Sequence, residues 1–273
     1  MNHEGSEGPD RRRRRNRKRR RPQRLLVRWE QVAVRLREAA NIALFLDFDG
    51  TLAPLHRDPK RVSLDEPTRQ RLRRLARHPR VTVYFISGRR RRDLIRRVSV
   101  RGAAYLGLHG LETGAPVASL GVPRRSISRA RRELAARLAG LPKVWIEDKV
   151  LSFVVHYRGA PRDVIGRARS LLREYLSSSA SLLRMLEGKR VWEVLPREVE
   201  GKGKAVKDAL AGLPDGVLPI YVGDDTTDES AFSRLKAGVT VRVGLRKSTR
   251  AKYLLRDPAE VKQFLSRLEA ELS

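Results

Sequence analysis

The chain has 273 residues, of which 40% are hydrophobic, and its formal net charge is +29. It has no cysteine, which excludes disulfides, zinc–thiolate sites and cysteine nucleophiles. No apolar run approaches the length of a membrane span, and no apolar segment follows the basic N-terminus as in a secretory signal. This composition is typical of a globular protein with a sizeable core, and we expect a cytoplasmic location.

The first 22 residues form a low-complexity basic segment in which arginine fills positions 11–15 and basic residues fill 17–21. Because like charges repel and nothing here can be buried, we expect residues 1–22 to be disordered. Residues 1–24 hold 11 basic and three acidic residues, so most of the excess charge lies in the body. The tail could bind polyanions such as nucleic acid or anionic lipid, whereas solvated basic helix faces explain the body.

An amphipathic helix is predicted over residues 23–41, because apolar residues recur there at helical spacing: Leu25, Trp29, Val32, Leu36 and Ala40. We expect this helix to pack on the body, although the adjacent arginines also suit a membrane surface.

From residue 42 the pattern alternates between strands and helices. Strands are predicted at 42–47, 81–86, 104–108, 217–222 and 239–243, and helices at 65–77, 90–98, 202–211, 228–236 and 258–271. The alternation predicts an α/β fold, a Rossmann-like core with a doubly wound parallel sheet, formed by residues 42–111 and 196–273.

The middle section, residues 112–195, has a different pattern. Helices at 124–139 and 162–177 alternate with pairs of strands at 143–158 and 181–195, which predicts an antiparallel sheet with helices on one face. We interpret this section as an α+β cap domain inserted into the core.

The most informative segment is Asp47-Phe48-Asp49-Gly50-Thr51-Leu52, which directly follows the apolar run at 42–46. Two carboxylates therefore stand where a buried strand ends, and open α/β sheets bind ligands at the carboxyl ends of their strands. An aspartate there can hold a divalent cation, attack a phosphorus atom, or both. Alone the segment is a modest signal, because aspartate and glycine are also common in turns.

Three further segments follow in order. Ser87 and Gly88 end a strand and offer a hydroxyl and exposed amides to a phosphoryl oxygen, although ordinary turns use the same residues. Lys202 begins a helix and could neutralise phosphate, whereas a lone lysine is more often a surface residue. The segment Gly223-Asp224-Asp225-Thr226-Thr227-Asp228-Glu229 holds four acids in six residues, which would repel one another strongly without a cation.

Together the four segments resemble the motifs of the haloacid-dehalogenase-like phosphohydrolase superfamily, which run DxDGT, Ser/Thr, Lys and GDxxxD. The resemblance implies Mg²⁺-dependent phosphoryl transfer through an aspartyl-phosphate. It implies that Asp47 is the nucleophile and that Asp49 protonates the leaving oxygen and then activates water. The residues implied to bind the phosphoryl group are Thr51, Ser87, Gly88 and Lys202. Mg²⁺ is implied to be held by Asp47, Asp49 through its carbonyl, Asp224 and Asp228.

Polar residues of the middle section are two or four positions apart, which places strand side chains on one face of a sheet. The pairs are Glu147 and Lys149, His156 and Arg158, and Lys189 and Glu193. Apolar neighbours would line the other face: Ile146, Phe153, Val155, Trp192 and Val194. Such a polar face suits a polyhydroxylated ligand, but a solvent-exposed face with charge pairs would have the same composition.

The sequence around these residues is similar to that of the trehalose-6-phosphate phosphatase family over about 42–245. The likeness lies in Gly107–Glu112, Glu147-x-Lys149, His156-Tyr157-Arg158, Gly188–Pro196, Lys202-Gly203 and Ala231-Phe232. It implies hydrolysis of trehalose 6-phosphate to trehalose and phosphate. It also implies substrate contacts at His109, Glu147, Lys149, His156, Arg158, Lys189 and Glu193. Leu195 departs from the family pattern, since many relatives have a basic residue before the proline.

Rival interpretations stay open at this point. A phosphatase of the sucrose-phosphate or glucosylglycerol-phosphate type would share the core motifs, and a phosphomutase would retain a sugar bisphosphate. A protein of a different class would bind polyanions through the basic tail. We expect a monomer that acts on a small sugar phosphate and needs no nucleic acid for activity.

Overall fold

The computed structural model describes residues 21–56, 58, 61–114, 124–178, 182–188, 190–197, 199–245 and 248–273. The predicted tail, as far as residue 20, and Lys189 lie outside these ranges. The helices are α1 Trp29–Glu38, α2 Glu66–Arg77, α3 Arg91–Val98, α4 Arg124–Leu138, α5 Arg162–Ser178, α6 Lys202–Ala211, α7 Glu229–Arg234 and α8 Pro258–Leu272. In the described part of the chain, no helix has both the length and the apolar character needed to cross a bilayer.

The strands form two separate sheets. They are β1 Gln23–Arg24, β2 Ile42–Leu46, β3 Val81–Ile86, β4 Ala104–Leu106, β5 Trp145–Asp148, β6 Phe153–His156, β7 Leu183–Gly188, β8 Val191–Pro196, β9 Leu218–Gly223, β10 Val239–Val243 and β11 Tyr253–Leu255. The larger sheet has the order β1-β11-β10-β9-β2-β3-β4, and its neighbouring strands all run parallel. The predicted α/β class with a parallel sheet is therefore confirmed.

Helices cover both faces of the larger sheet, because its strands are apolar on both sides. Residues of α1, α2, α3 and α8 pack with Leu44 and Leu46 on one face. Residues of α6 and α7 pack with Ala43 and Phe45 on the other. Successive residues of a strand point to opposite faces, so the unbroken apolar run of β2 is explained by this double cover.

The order of the strands places a switch point between β2 and β9. From β2 the chain proceeds through β3 to β4 on one side, and from β9 through β10 to β11 on the other. Ligands of doubly wound sheets bind at the carboxyl ends of the strands that flank such a point. The segments that follow β2 and β9 are the two acidic segments.

The smaller sheet is antiparallel and has the order β5-β6-β8-β7. Helices α4 and α5 cover one of its faces, where they pack on apolar residues of the strands: Ile146, Phe153, Val155, Trp192 and Val194. These are the residues predicted for the apolar face, so that prediction is confirmed. The opposite face is the polar face, and it is turned toward the larger sheet.

The N-terminal prediction needs correction. The helix α1 begins only at Trp29, and β1 at Gln23–Arg24 precedes it instead of the first helical turn predicted over 23–41. The strand β1 pairs in parallel with β11, which the sequence analysis also did not predict. A two-residue strand whose partner lies at the other end of the chain leaves no local periodicity.

Candidate active site

Asp47 lies at the switch point of the larger sheet, one residue beyond β2. Its backbone N–H donates to the carbonyl of Val222 in β9 at 3.0 Å, which ties the two strand ends together. The side chain of Asp47 is buried, and Asp224 follows β9 at the same edge. Two of the predicted acids are therefore neighbours because their strands are neighbours.

Lys202 connects Asp47 to a third acid of the cluster. Its ammonium donates to Asp47 Oδ1 and to Asp228 Oδ1, both at 2.7 Å. The hydroxyl of Tyr221 also donates to Asp228 Oδ1 at 2.7 Å. The backbone N–H of Asp225 donates to Asp228 Oδ2 at 2.7 Å. Lys202 and Asp228 are buried. The lysine at the start of α6 is therefore part of the cluster and not a surface residue.

Burial and neighbouring charges shift the pKa values of the cluster in opposite directions. Burial raises the pKa of Asp47 well above its ordinary value, although the ammonium of Lys202 opposes this shift. Burial alone would lower the pKa of Lys202, but the carboxylates of Asp228 and Asp47 raise it. The carboxylates of Asp228 and Asp224 raise the pKa of Asp47 further, and a divalent cation would stabilise the ionised forms of these acids.

The residues present fit such a cation. Single oxygens of Asp47, Asp224 and Asp228 lie within 4.8 Å of one another. Carboxylate oxygens are the ligands that hard divalent cations prefer. An acidic site able to hold a metal ion is therefore present where the sequence predicted it.

Two glycines allow the carboxylates to approach. Gly50 has φ +83°, and a Cβ placed on it would lie 2.3 Å from a carboxylate oxygen of Asp224. A Cβ on Gly223 would lie 2.3 Å from the carboxyl carbon of Asp228. Any other residue would push these side chains out of the cluster, so glycine is required for close approach at both positions.

Asp49 has a partner that the sequence analysis missed. The guanidinium of Arg89 donates from Nε to Asp49 Oδ2 at 2.7 Å and from Nη2 to Oδ1 at 2.6 Å. Arg89 also donates to Asp93 at 2.9 Å. Such a two-point contact fixes the orientation of a carboxylate. The available signal was the position of Arg89, directly after Ser87 and Gly88 at the adjacent strand end.

Of the predicted phosphate-binding residues, Thr51 and Lys202 contact Asp47, and Ser87 and Gly88 follow the adjacent strand β3. The hydroxyl of Thr51 donates to Asp47 Oδ2 at 3.2 Å. Ser87 is buried just beyond β3, and its hydroxyl accepts from the backbone N–H of Arg89 at 3.1 Å. Gly88 lies beside the imidazole of His109, because a Cβ on it would come within 2.9 Å of that ring.

A buried network joins the polar face of the smaller sheet to the larger sheet. Glu193 on β8 makes a 2.8 Å hydrogen bond to Nε2 of His109, which follows β4. Its other oxygen accepts from the hydroxyl of Ser152 at 2.8 Å. The ammonium of Lys149 lies 3.6 Å from Glu193 and donates to the carbonyl of Gly88 at 2.8 Å. Ser152 is a further residue that the sequence analysis missed.

The charges of this network favour an ionised Glu193. Burial alone would raise its pKa, but Lys149 and His109 together lower it to about 2. His109 adopts φ +58°, and the preceding Leu108 has φ +47°. Such left-handed conformations are uncommon for residues other than glycine and are characteristic of functional sites.

Glu147 and His156 form a second pair on the polar face. The ring nitrogen Nε2 of His156 makes a 2.8 Å hydrogen bond to Glu147 Oε2, and this contact lowers the pKa of Glu147. Arg158 follows β6 in an exposed loop, and no contact among the described residues joins it to this pair. The predicted contact at Lys189 lies outside the described residues.

Comparison with known protein families shows to which family the chain belongs. A model of the trehalose-phosphatase family matches residues 45–259. The chain belongs to this family. The match extends from Phe45, within β2, to the start of α8, so it includes every strand of the two sheets from β3 onward.

Named relatives agree with this assignment. Trehalose 6-phosphate phosphatase RA3 from Zea mays is 34% identical over 257 residues, with 83% of this chain and 69% of that protein covered. A trehalose-phosphate phosphatase from Mycobacterium marinum is 34% identical, with 85% of this chain and 62% of that protein covered. The chain therefore spans about two thirds of the length of these relatives.

Solved structures show the same fold. The C-terminal domain of a trehalose-6-phosphate phosphatase from C. albicans has a TM-score of 0.73 at 24% identity, with 88% of this chain and 96% of that one covered. A trehalose-6-phosphate phosphatase from Aspergillus fumigatus has a TM-score of 0.64 at 26% identity, with 88% and 97% covered. A haloacid dehalogenase-like hydrolase from Bacteroides thetaiotaomicron shares the fold at a TM-score of 0.61 and 15% identity.

Proposed function

We propose that this chain is a Mg²⁺-dependent phosphatase that hydrolyses trehalose 6-phosphate to trehalose and phosphate. The observation that carries the proposal is the buried contact of Lys202 with Asp47 and Asp228 at the switch point. Family membership supports the reaction class, and the polar face above the cluster supports a sugar as the leaving group. A monomer in the cytoplasm is part of the same proposal.

Asp47 attacks the phosphorus atom in the first half of the reaction. A bond forms between its carboxylate oxygen and phosphorus, and the bond from phosphorus to the sugar oxygen breaks. Lys202 fixes Oδ1 of Asp47 and Thr51 contacts Oδ2, so the carboxylate is oriented before the substrate arrives. Lys202, Ser87 and Gly88 then lie at the same edge to bind phosphoryl oxygens.

Asp49 moves the proton in both halves. As an acid it donates a proton to the sugar oxygen as that oxygen leaves. As a base it then takes a proton from the water that attacks phosphorus and releases Asp47. Because Arg89 occupies both oxygens of Asp49, the carboxyl group has to turn away from Arg89 before it can donate.

A metal ion would occupy the acidic cluster. When bound by Asp47, Asp224, Asp228 and the carbonyl of Asp49, Mg²⁺ would offset the negative charge that gathers on the nucleophile and the phosphoryl group. The fit rests on the spacing of the three carboxylates and on the glycines that let them approach.

The smaller sheet supplies the sugar contacts in this proposal. Residues 112–195 would act as a cap over the strand ends, and closure would exclude bulk water from the reaction. The side chains proposed to contact the sugar are His109, Glu147, Lys149, His156 and Glu193. Arg158 and Lys189 are retained as predicted contacts only.

The test is phosphate release from trehalose 6-phosphate by the purified chain, with Mg²⁺, after EDTA, and after Mg²⁺ is restored. We expect release that EDTA abolishes and added Mg²⁺ recovers. Absence of release under all three conditions would overturn the proposal. Release that is unaffected by EDTA would overturn the role of the metal.

A further inference from the structure

An exposed tryptophan lies on the polar face of the smaller sheet. Trp145 begins β5, and its side chain is 53% exposed. The chain has three tryptophans, and Trp192 is buried among the helices that cover the other face. A large aromatic side chain that is open to solvent beside a polar site is a common feature of ligand-binding surfaces.

The register of the strands fixes the side on which Trp145 lies. It pairs directly with His156, and Glu147 pairs with Val154, which in turn pairs with Glu193. Directly opposed residues and residues two apart in a strand share one face. Trp145 therefore shares the face of Glu147, His156 and Glu193, and Glu193 reaches His109 of the larger sheet.

The position of Trp145 suits the far end of an elongated ligand. Trp145 lies two strands across and two residues along from Glu193. From the spacings between strands and along a strand, the distance between these two residues is roughly 12 Å. Glu193 lies beside Gly88 at the phosphate-binding edge. A sugar phosphate that extends from this edge across the polar face would therefore reach Trp145 with its second ring.

The indole is held in place before any ligand binds. Its ring stacks on the imidazole of His156, with centroids 3.8 Å apart and an interplanar angle of 5°. The imidazole is fixed in turn by its hydrogen bond to Glu147. A side chain that is already ordered loses little conformational entropy on binding.

We propose that Trp145 is the platform on which the sugar ring farther from the phosphate stacks. The proposal rests on the proposed function, because it needs a substrate with a second ring. The C–H face of a pyranose is apolar and can cover the exposed part of the indole, while Glu147 and His156 contact its hydroxyl groups. Trp145 is thus a specificity-determining residue that selects a disaccharide phosphate over a monosaccharide phosphate.

The first test compares kcat/KM for trehalose 6-phosphate with kcat/KM for 4-nitrophenyl phosphate, as a ratio within each variant. In Trp145→Ala the ratio should fall by roughly 2- to 12-fold, the contribution of one aromatic stacking contact. Trp145→Phe keeps a ring and should retain most of the ratio. Leu182→Ala is the matched control, because Leu182 is also 53% exposed and lies next to β7 of the same sheet.

The second test does not depend on turnover. Trehalose and trehalose 6-phosphate are titrated, with Mg²⁺, into the Asp47→Asn protein while tryptophan emission is recorded. We expect a saturable change in emission. This change should disappear when Trp145→Phe is combined with Asp47→Asn in one protein, and it should persist when Leu182→Ala is combined with Asp47→Asn. Far-UV circular dichroism verifies that each variant is folded. If Trp145→Ala does not fold, Trp145→Phe still serves as the test, because its ring can stack on His156.

Two results overturn the proposal: an unchanged ratio in Trp145→Ala, or an emission change that survives Trp145→Phe. Failure of the proposed function is a different result, namely no phosphate release from trehalose 6-phosphate by the unmodified chain. In that case the titration with trehalose still decides whether Trp145 contacts a sugar.

Discussion

The acidic cluster at the ends of β2 and β9 and the polar face of the smaller sheet use similar residue types at different depths. In the cluster, Asp47, Lys202 and Asp228 are 4%, 2% and 0% exposed, and each charge contacts an opposite one. On the polar face, Glu147 and His156 are partly exposed, and Trp145 is 53% exposed.

The difference indicates which part of the molecule is free to change. A buried charge that loses its partner destabilises the fold strongly, so the cluster can vary little. Exposed side chains can be replaced at small cost in stability. In the proposed function, the cluster carries out the reaction and the polar face sets which sugar is accepted. Glu193 is an exception on the polar face, because it is buried there.

The largest effect is expected at the nucleophile. Asp47→Asn replaces the attacking carboxylate with an amide, which is a far weaker nucleophile, and should lower kcat on any phosphate ester by a factor on the order of 10⁶, as for other removed nucleophiles. Phosphate release measures the loss. Asp208→Asn, an exposed carboxylate of α6, is the control and should leave kcat unchanged. Substantial residual activity in Asp47→Asn would exclude Asp47 as the nucleophile.

The next effect is expected at the buried ammonium. Lys202→Met leaves Asp47 and Asp228 without their cation, which should lower the free energy of unfolding by about 3–5 kcal/mol. Urea denaturation measures this loss, and Mg²⁺ should restore part of it. Lys204→Met is the control, since Lys204 lies two residues away, its side chain is 45% exposed, and its ammonium pairs with the exposed Asp208. Equal losses in both variants would contradict the role assigned to Lys202.

The lowered pKa of Glu193 predicts that the stability of the fold depends on pH. Its pKa of about 2 lies below the ordinary 4.5, so the ionised form stabilises the fold above pH 4.5, and that stability is lost as the pH falls toward 2. The amount is roughly 3 kcal/mol. Glu193→Gln should remove this part of the acid dependence in urea denaturation at several pH values. Glu174→Gln, an exposed carboxylate of α5, should preserve it. An unaltered acid dependence in Glu193→Gln would show that the network does not act on the charge of Glu193.

The smallest effect is expected on the polar face, and it should depend on whether the substrate contains a sugar. Glu193→Ala should lower kcat/KM for trehalose 6-phosphate by roughly 10- to 100-fold, the value of a hydrogen bond to a charged group. The loss on 4-nitrophenyl phosphate should be far smaller, because that substrate has no sugar. Equal losses on both substrates would argue that the polar face does not contact the sugar.

Much of the cluster could be predicted from the sequence, because its signals are local. An apolar run that is followed at once by Asp47, or after one glycine by Asp224, marks a strand end, and parallel strands bring such ends to one edge. The ion pair between Arg89 and Asp49 could not be predicted, because it depends on side-chain orientation across two strand ends. The hydrogen bond of Glu193 to His109 joins residues 84 apart in different sheets, and no sequence spacing encodes it.

Selection of the sugar is measured most directly by kcat/KM for trehalose 6-phosphate, sucrose 6-phosphate and glucose 6-phosphate at one Mg²⁺ concentration. We expect trehalose 6-phosphate to have the highest value, because both of its rings would contact the protein. Glucose 6-phosphate should be the weakest of the three, because it has no second ring to reach Trp145. A higher value for either of the other two substrates would contradict the claim that this polar face selects trehalose 6-phosphate.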